Sequence, residues 1–376
     1  MSTARPPAIL AAAFSARQIA ASARLAGIAA LAVDFFGDLD LRAEATRAEV
    51  LRGHYPDGFS GEDLLAALDR LATGDTPLGF VYGAGFEDRP ELLEAIAARW
   101  PILGTDPATA RRLKDPERFA RICGEAGIAH PEICRSRPDD PAEWLSKRVG
   151  GSGGSHVAPG DAAPAPDRYY QRFVAGDRVS LAFAAAGARF VAIGYSRQWA
   201  DPSPAEPYRY GGAVGPIAVP AAADAAMREA VAGFLDRLPL AGLCSADFVL
   251  GDGAPVLLEI NARPGATLDV FESADRPLVA LHLDAVRGKL PALAAPAMAP
   301  ARFRASGLAW ARTPLQLSAG FVWPEWTRDR SSPPYAIAAG EPICTVVAEA
   351  DSEAEAERLF HARTEQIADV LRSMAA

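Results

Sequence analysis

The chain opens as alternating apolar runs and amphipathic stretches. Pro7–Phe14 (PAILAAAF) is a short apolar run and predicts a strand. Ser15–Ile28 has helical spacing, with Ser15 as its cap and Gly27 as its stop. Ala29–Asp38 predicts a second strand, EDLLAALDRLAT a helix, Leu78–Phe86 a strand and RPELLEAIAARW a helix. Strands that are apolar throughout and alternate with helices predict a parallel sheet covered on both faces. Two helical pieces then flank Asp115-Pro116 and end at Gly127 and Pro131. Residues 135–168, rich in Pro, Gly, Asp and Ser, read as irregular. Arg168–Gln198 reads as successive strands around Gly176 and Gly187, residues 221–238 as a helix, and residues 243–261 as a hairpin turning at Gly251-Asp252-Gly253. A helix follows over DRPLVALHLDAVRGKL, then a linker, PALAAPAMAPA (291–301), then short strands and a terminal helix, SEAEAERLFHARTEQIADVLRSM. The pattern divides the chain into 1–104, 105–292 with a mobile element at about 131–175, and 293–376. The class is α/β with an α+β remainder.

A length of 376 residues implies more than one core. Hydrophobic residues make up 50% and the net charge is −9, which fits a globular chain and excludes a non-specific nucleic-acid binder. Cys123, Cys134, Cys244 and Cys344 form no CxxC pair and read as free thiols of a reducing compartment. Arg17 and Arg24 interrupt the alanine-rich start, which excludes an export signal or membrane span there and points to a cytoplasmic protein.

Two residue counts single out positions. Lys114, Lys147 and Lys289 are the only lysines among 38 basic residues, and Asn261 is the only asparagine. A chain that meets its other needs with arginine keeps lysine where a compact ammonium is required. Asn261 follows Glu259 by two residues, so both point to one face of a strand. Asp247 stands on the opposite arm of the predicted hairpin, and cross-strand neighbours bring side chains within about 5–8 Å. Two carboxylates and an amide converging on one point suit a hard cation such as Mg²⁺, with substrate phosphates filling its remaining positions. The alternative is a solvated hairpin with scattered acids. Arg263, on the same face before the Pro264-Gly265 turn, adds a cation for a charged substrate.

The stretch Val149–Val157 (VGGSGGSHV) fails as a Walker loop, because GxxxxGK[ST] does not occur, and as a dinucleotide fingerprint, because His156 stands where the last glycine belongs. Gly150–Gly154 matches the GxSxG elbow, but HVAPGDAAPAP cannot form the helix that motif needs. A mobile flap remains, in which the backbone of Gly151, Ser152, Gly153 and Gly154 closes over phosphates with Lys147 beside it. A plain flexible linker is the other reading.

Taken together, these pieces resemble the ATP-grasp superfamily, in the group of carboxylate–amine ligases similar to biotin carboxylase, over residues 1 to about 290. GTDPATARRLKDPERFARICGEAGIAHPE and WLSKRVGGSGGSHV resemble the segments bearing the two ATP lysines, here Lys114 and Lys147. YYQRFVAGDRVSLA resembles the adenine hinge, so Gln171, Phe173 and Val174 match its positions. SADFVLGDGAPVLLEINARPG resembles the metal hairpin, with Asp247, Glu259 and Asn261 as ligands and Arg263 at the substrate position. The hinge departs from the family in having Gln171 for glutamate, and Arg178 where a ribose-binding glutamate is frequent; Asp177 is the candidate in its place.

The resemblance implies an ATP-grasp fold with a Rossmann-like first domain and a small C-terminal lobe. It implies ATP as cosubstrate and Mg²⁺, or Mn²⁺ in its stead. The implied reaction activates a substrate carboxylate as an acylphosphate and joins it to an amine, with Arg263 and Lys147 as the catalytic cations. The partners are then small carboxylates and amines, not nucleic acid or membrane, and a homodimer is allowed. Relatives in one-carbon cofactor synthesis, of the tetrahydromethanopterin or methanofuran kind, suggest a pathway. A bicarbonate-using carboxylase and a nucleotide-binding protein without ligase activity are the alternatives. His156 reads as touching phosphate or facing solvent, His54, His130, His282 and His361 as structural, and Arg197 and Arg209 as pocket lining or plain surface.

Overall fold

The computed structural model describes residues 6–51, 58–292 and 302–375. His54 and all but the first two residues of the expected linker lie outside them.

The N-terminal domain is a four-stranded parallel sheet in the order Arg47–Val50, Ala29–Asp34, Ala8–Ala12, Phe80–Tyr82. All five residues of Ala8–Ala12 are buried, as a strand covered on both faces requires. Ile9 and Ala11 pack with Ile19, Ala20 and Ala23 of helix Arg17–Leu25. Ala8, Leu10 and Ala12 pack on the other face with Leu64 and Leu68 of helix Gly61–Ala72 and with Leu92 and Leu93 of helix Pro90–Ala97. Ser15 is not the helix cap. Ala16 occupies that position, and the Ser15 hydroxyl donates to Asp329 Oδ1 at 2.8 Å. The hydrophobic pattern also misses helix Leu39–Glu44, capped by Asp38, and the edge strand Arg47–Val50, whose sequence RAEV carries no apolar run.

An antiparallel eight-stranded sheet forms the main body. Its order is Val256–Asn261, Leu240–Leu250, Asp177–Gly187, Arg189–Ala200, Tyr210–Ile217, Phe303–Trp310, Pro342–Ala350, Thr327–Arg328. Helices Pro116–Ala126 and Ala221–Leu235 cover its first half, with Phe119, Met227 and Phe234 in one core with Phe248 of the sheet. The C-terminal segment extends this sheet: Phe303–Trp310 pairs with Tyr210–Ile217 at Gly212↔Gly307. Glycine is required there, since a Cβ on Gly307 would stand 2.1 Å from the Gly211 carbonyl oxygen. Helix Glu353–Ala375 closes a separate core over the segment with Phe360, Ile367 and Leu371.

A small sheet stands off this body in the order Ile133–Cys134, Arg168–Arg172, Trp144–Arg148, Val157–Pro159. Region 135–168 is therefore not irregular throughout. Its strand WLSKR is short and polar, so no apolar run marks it. Among the described residues no helix is long and apolar enough to cross a membrane.

Candidate nucleotide and metal site

The two lysines and the hairpin meet where the small sheet faces the large one. Asp106 caps helix Pro107–Lys114 and Asp115 caps the next helix, with Pro at the first helical position of both. Lys114 is thereby left at a helix end, and its Nζ donates to Asn261 Oδ1 at 2.7 Å. Lys147 projects from Trp144–Arg148 and donates to Gln171 Oε1 on the neighbouring strand at 3.2 Å. Burial works against its charge, but Tyr169 and the carboxylates of Glu259 and Asp247 outweigh it and raise the ammonium's pKa.

Asp247 and Glu259 are direct cross-strand partners, and Ser245 faces Asn261. A bulge beside Asp247 leaves Leu258 unpaired between Leu257 and Glu259. The Asn261 amide donates to Asp247 Oδ2 at 3.3 Å and to Glu259 Oε1 at 3.2 Å. Ser180 Oγ donates to Asp247 Oδ1 at 2.5 Å, with Gln198 Nε2 at 3.4 Å. Burial and the charge of Glu259 push Asp247 up to about 7. Glu259 is also buried, but Lys114 and Lys147 overcome that and hold its carboxyl low.

This donor set fits a divalent cation. The Asn261 NH₂ lies between the two carboxylates, where a positive centre belongs. A half-turn of the amide exchanges Nδ2 for Oδ1 and leaves three oxygens converging there. Among the described residues no group of three or more His, Cys, Asp or Glu could hold a metal, so such a site depends on Asn261.

These residues line a cavity of about 820 Å³. Gln171, Phe173 and Val174 form part of its wall, as do Lys147, Ser152, Gly153, Gly154, Asp247, Glu259, Asn261 and Arg263. Lys114 and Gly151 border a smaller void behind Lys147. Asp177 is not brought to the cavity: strand alternation exposes it and turns Arg178 and Ser180 toward Asp247. The glycine segment lies down on the main body. A Cβ on Gly154, whose φ is +76°, would stand 2.0 Å from the Tyr208 carbonyl oxygen, and Gly153 O accepts from Tyr210 N at 2.9 Å. His156 lines the cavity and packs over Gly151, and burial with Lys147 nearby lowers it to about 4, so it is neutral.

Arg263 does not stand free. Its Nε is ion-paired with Glu87 in a buried contact. Glu87 also accepts from Gly85 N at 2.8 Å and Phe86 N at 3.0 Å. Burial of Glu87 is outweighed by Arg263 and Lys114, which lower its pKa. Sequence reading missed Glu87. The available signal was its place just past the carboxyl end of a parallel strand, where such sheets bind ligands.

Arg197 and Arg209 are not in the cavity wall. Arg197 bonds Glu353 and Glu357 of the C-terminal helix, and Arg209 is buried with its guanidinium 4.1 Å over the Trp310 ring. His130 donates from Nδ1 to Leu257 O at 2.7 Å, and His282 bridges Leu243 N and Leu103 O, both structural contacts. The four cysteines are free thiols.

Residues 118–267 match the ATP-grasp domain family. No curated protein matches the chain in sequence. Solved structures match its fold. The biotin carboxylase domain of a single-chain bacterial carboxylase is 18% identical with a TM-score of 0.69, covering 94% of this chain and 87% of its own. An L-amino acid ligase from Bacillus licheniformis is 14% identical with a TM-score of 0.67, covering 97% and 98%. The biotin carboxylase domain dimer of the Hydrogenobacter thermophilus 2-oxoglutarate carboxylase, in complex with MgADP, ADP and bicarbonate, is 11% identical with a TM-score of 0.70, covering 94% and 88%. The described chain has the ATP-grasp fold.

Proposed function

We propose that this protein is an ATP-dependent ligase that activates a carboxylate as an acylphosphate and joins it to an amine, releasing ADP and phosphate. The observation that carries the reading is one network, Lys114–Asn261–Asp247/Glu259, set in a cavity under a glycine flap. Asp247, Glu259 and Asn261 would hold Mg²⁺, or Mn²⁺, which when bound neutralises phosphate charge and orients the triphosphate. Lys114 and Lys147 offset the remaining phosphate charge, and Gln171, Phe173 and Val174 hold the base. Arg263, oriented by Glu87, steers the carboxylate. A carboxylate oxygen attacks the γ-phosphorus as its bond to the bridging oxygen breaks. The amine nitrogen then attacks the acyl carbon, the C–O bond to phosphate breaks, and the nitrogen gives up its extra proton. A closed flap of Gly151–Gly154 keeps water from the acylphosphate.

The ligase neighbour supports amide formation; the carboxylase neighbours support a bicarbonate-using reaction as the second reading. ADP release measured over a panel of carboxylates and amines, with and without bicarbonate, separates them. Turnover that requires an amine and not bicarbonate is expected; turnover that requires bicarbonate alone selects the carboxylase. The dimeric carboxylase domain supports a homodimer, checked by light scattering. A cytoplasmic location, and a role in one-carbon cofactor synthesis that rests on the resemblance alone, belong to the same reading; the productive pair tests the latter.

A further inference from the structure

The glycine flap touches the rest of the fold at two places. A Cβ on Gly150 would stand 2.6 Å from the Glu87 carbonyl oxygen, so this end lies against the N-terminal domain. At Gly153 and Gly154 the flap meets the Tyr210 amide and the Tyr208 carbonyl. Both of these latter contacts are made by backbone, and they leave no room for a side chain on Gly154. They therefore depend on how firmly the peptide groups of residues 208–210 are held. The residue between the two landing points is Arg209.

The landing loop, 201–209 (DPSPAEPYR), joins strands Arg189–Ala200 and Tyr210–Ile217. Pro202, Pro204 and Pro207 restrict its backbone. Asp201 N donates to Arg209 O at 2.9 Å, and the amides of Ser203 and Glu206 each donate to the other's carbonyl at 3.1 Å. The Arg209 side chain is only 2% exposed, and its charge is spent inside this loop. Its Nε donates to Asp201 O at 3.1 Å, and its terminal nitrogens lie 3.8 Å from the Asp201 carboxylate and 3.5 Å from that of Glu206. The guanidinium plane rests 4.1 Å over the Trp310 ring, and Trp310 Nε1 donates to Tyr210 O at 3.1 Å. Arg312, two residues on, donates to Pro202 O at 3.1 Å and pairs with Asp201. The loop that receives the flap is thus built on the C-terminal segment. A buried guanidinium needs such partners, and together they fix the loop from within.

We propose that Arg209 is a positioning residue for flap closure: stacked on Trp310, it fixes the two peptide groups on which Gly153 and Gly154 land, and it makes the C-terminal lobe a working part of the nucleotide site. Arg209 itself touches no nucleotide; it acts through Tyr208 and Tyr210. Lysine is no substitute, because a single ammonium cannot stack on the indole while also reaching Asp201 O and Glu206. The inference rests on the proposed nucleotide site and is independent of which acid and amine are joined.

The test is hydrogen–deuterium exchange of the full chain, read at residues 149–157 with and without saturating MgADP, beside MgADP calorimetry. In the wild type MgADP should slow exchange in the flap. Arg209→Lys should speed flap exchange in MgADP about tenfold and weaken MgADP binding about tenfold, with exchange in strand Leu240–Leu250 unchanged. Trp310→Phe keeps a ring under the guanidinium but loses the Nε1 donor, and should move both readings the same way by a smaller factor. Arg197→Gln removes an arginine that bonds the C-terminal helix away from this loop and should move neither. Wild-type flap exchange and affinity in both Arg209→Lys and Trp310→Phe overturn the inference and leave the nucleotide site standing. An equal rise in Arg197→Gln, or one spread through Leu240–Leu250, overturns it as well, since either reports general loosening. A wild-type chain that binds no MgADP overturns the nucleotide site, and the inference with it.

Discussion

Replacing Asn261 by aspartate tests the metal edge most directly. The wild-type amide donates to Asp247 and Glu259 at 3.3 and 3.2 Å and accepts from Lys114 at 2.7 Å. Aspartate turns both donations into repulsions. At an effective dielectric near 20 each is about 5 kcal/mol, while the closer Lys114 contact returns at most about 6, leaving a net cost near 4. Protonation sets a ceiling: keeping a carboxyl of ordinary pKa protonated at pH 7 costs about 4 kcal/mol. The two bounds agree. For a chain of 376 residues that loss corresponds to a fall in Tm of about 5 °C in chelator-treated protein. Added Mg²⁺ should recover most of it, because three carboxylates then surround a cation. MgATP turnover should nevertheless fall tenfold or more, since a further negative charge faces the incoming phosphates. The assay is thermal unfolding in EDTA and in Mg²⁺, run beside ADP release. An equal loss of Tm in both conditions, or turnover at the wild-type rate, refutes the metal-edge reasoning.

Three further outcomes are expected. Arg17→Gln leaves the buried carboxylates of Asp269 and Asp329 uncompensated and should cost about 3–5 kcal/mol by denaturant midpoint; a loss below about 1 would show the pairs to be idle. His282 is held near 4 by burial when folded, against 6.5 when unfolded, so the unfolded chain binds the extra proton between those values. Stability from this group is therefore complete above about pH 6.5 and lost as pH falls toward 4, about 2 kcal/mol of it by pH 5; His282→Gln should flatten that slope in urea titrations at pH 7 and 5. Gly154→Ala drives a Cβ against the Tyr208 carbonyl at a positive φ, so it should lift the flap and weaken MgATP affinity about tenfold by calorimetry, with folding otherwise intact.

Much of this candidate site was legible because it gathers rare residue types at fixed spacings. Lysine in an arginine-rich chain and a lone asparagine two residues from a glutamate pointed to Lys114, Lys147 and Asn261. Period-2 alternation put Glu259 and Asn261 on one face, and the hairpin turn set Asp247 opposite. Local signals of this kind survive in the sequence because strand geometry and turn chemistry act over a few residues. The same locality explains the parallel strands of the first domain, where burial on both faces writes an unbroken apolar run. Strands such as RAEV and WLSKR left no mark, because an edge or half-polar strand needs no apolar run.

What the tertiary structure alone decided lies in contacts between distant segments. Ser15 reads as a helix cap by position but is drawn away by Asp329, 314 residues along the chain. Asp177 and Arg178 are adjacent in sequence, and only the pairing of their strand with Leu240–Leu250 decides that Arg178 faces the cavity. Glu87 gained its place when the chain folded Arg263 against it, 176 residues away. Sequence spacing determines which groups share a face of one element. Which faces meet, and which polar atoms are then left for a ligand to complete, is settled by packing between elements, where desolvation makes every unpaired group costly.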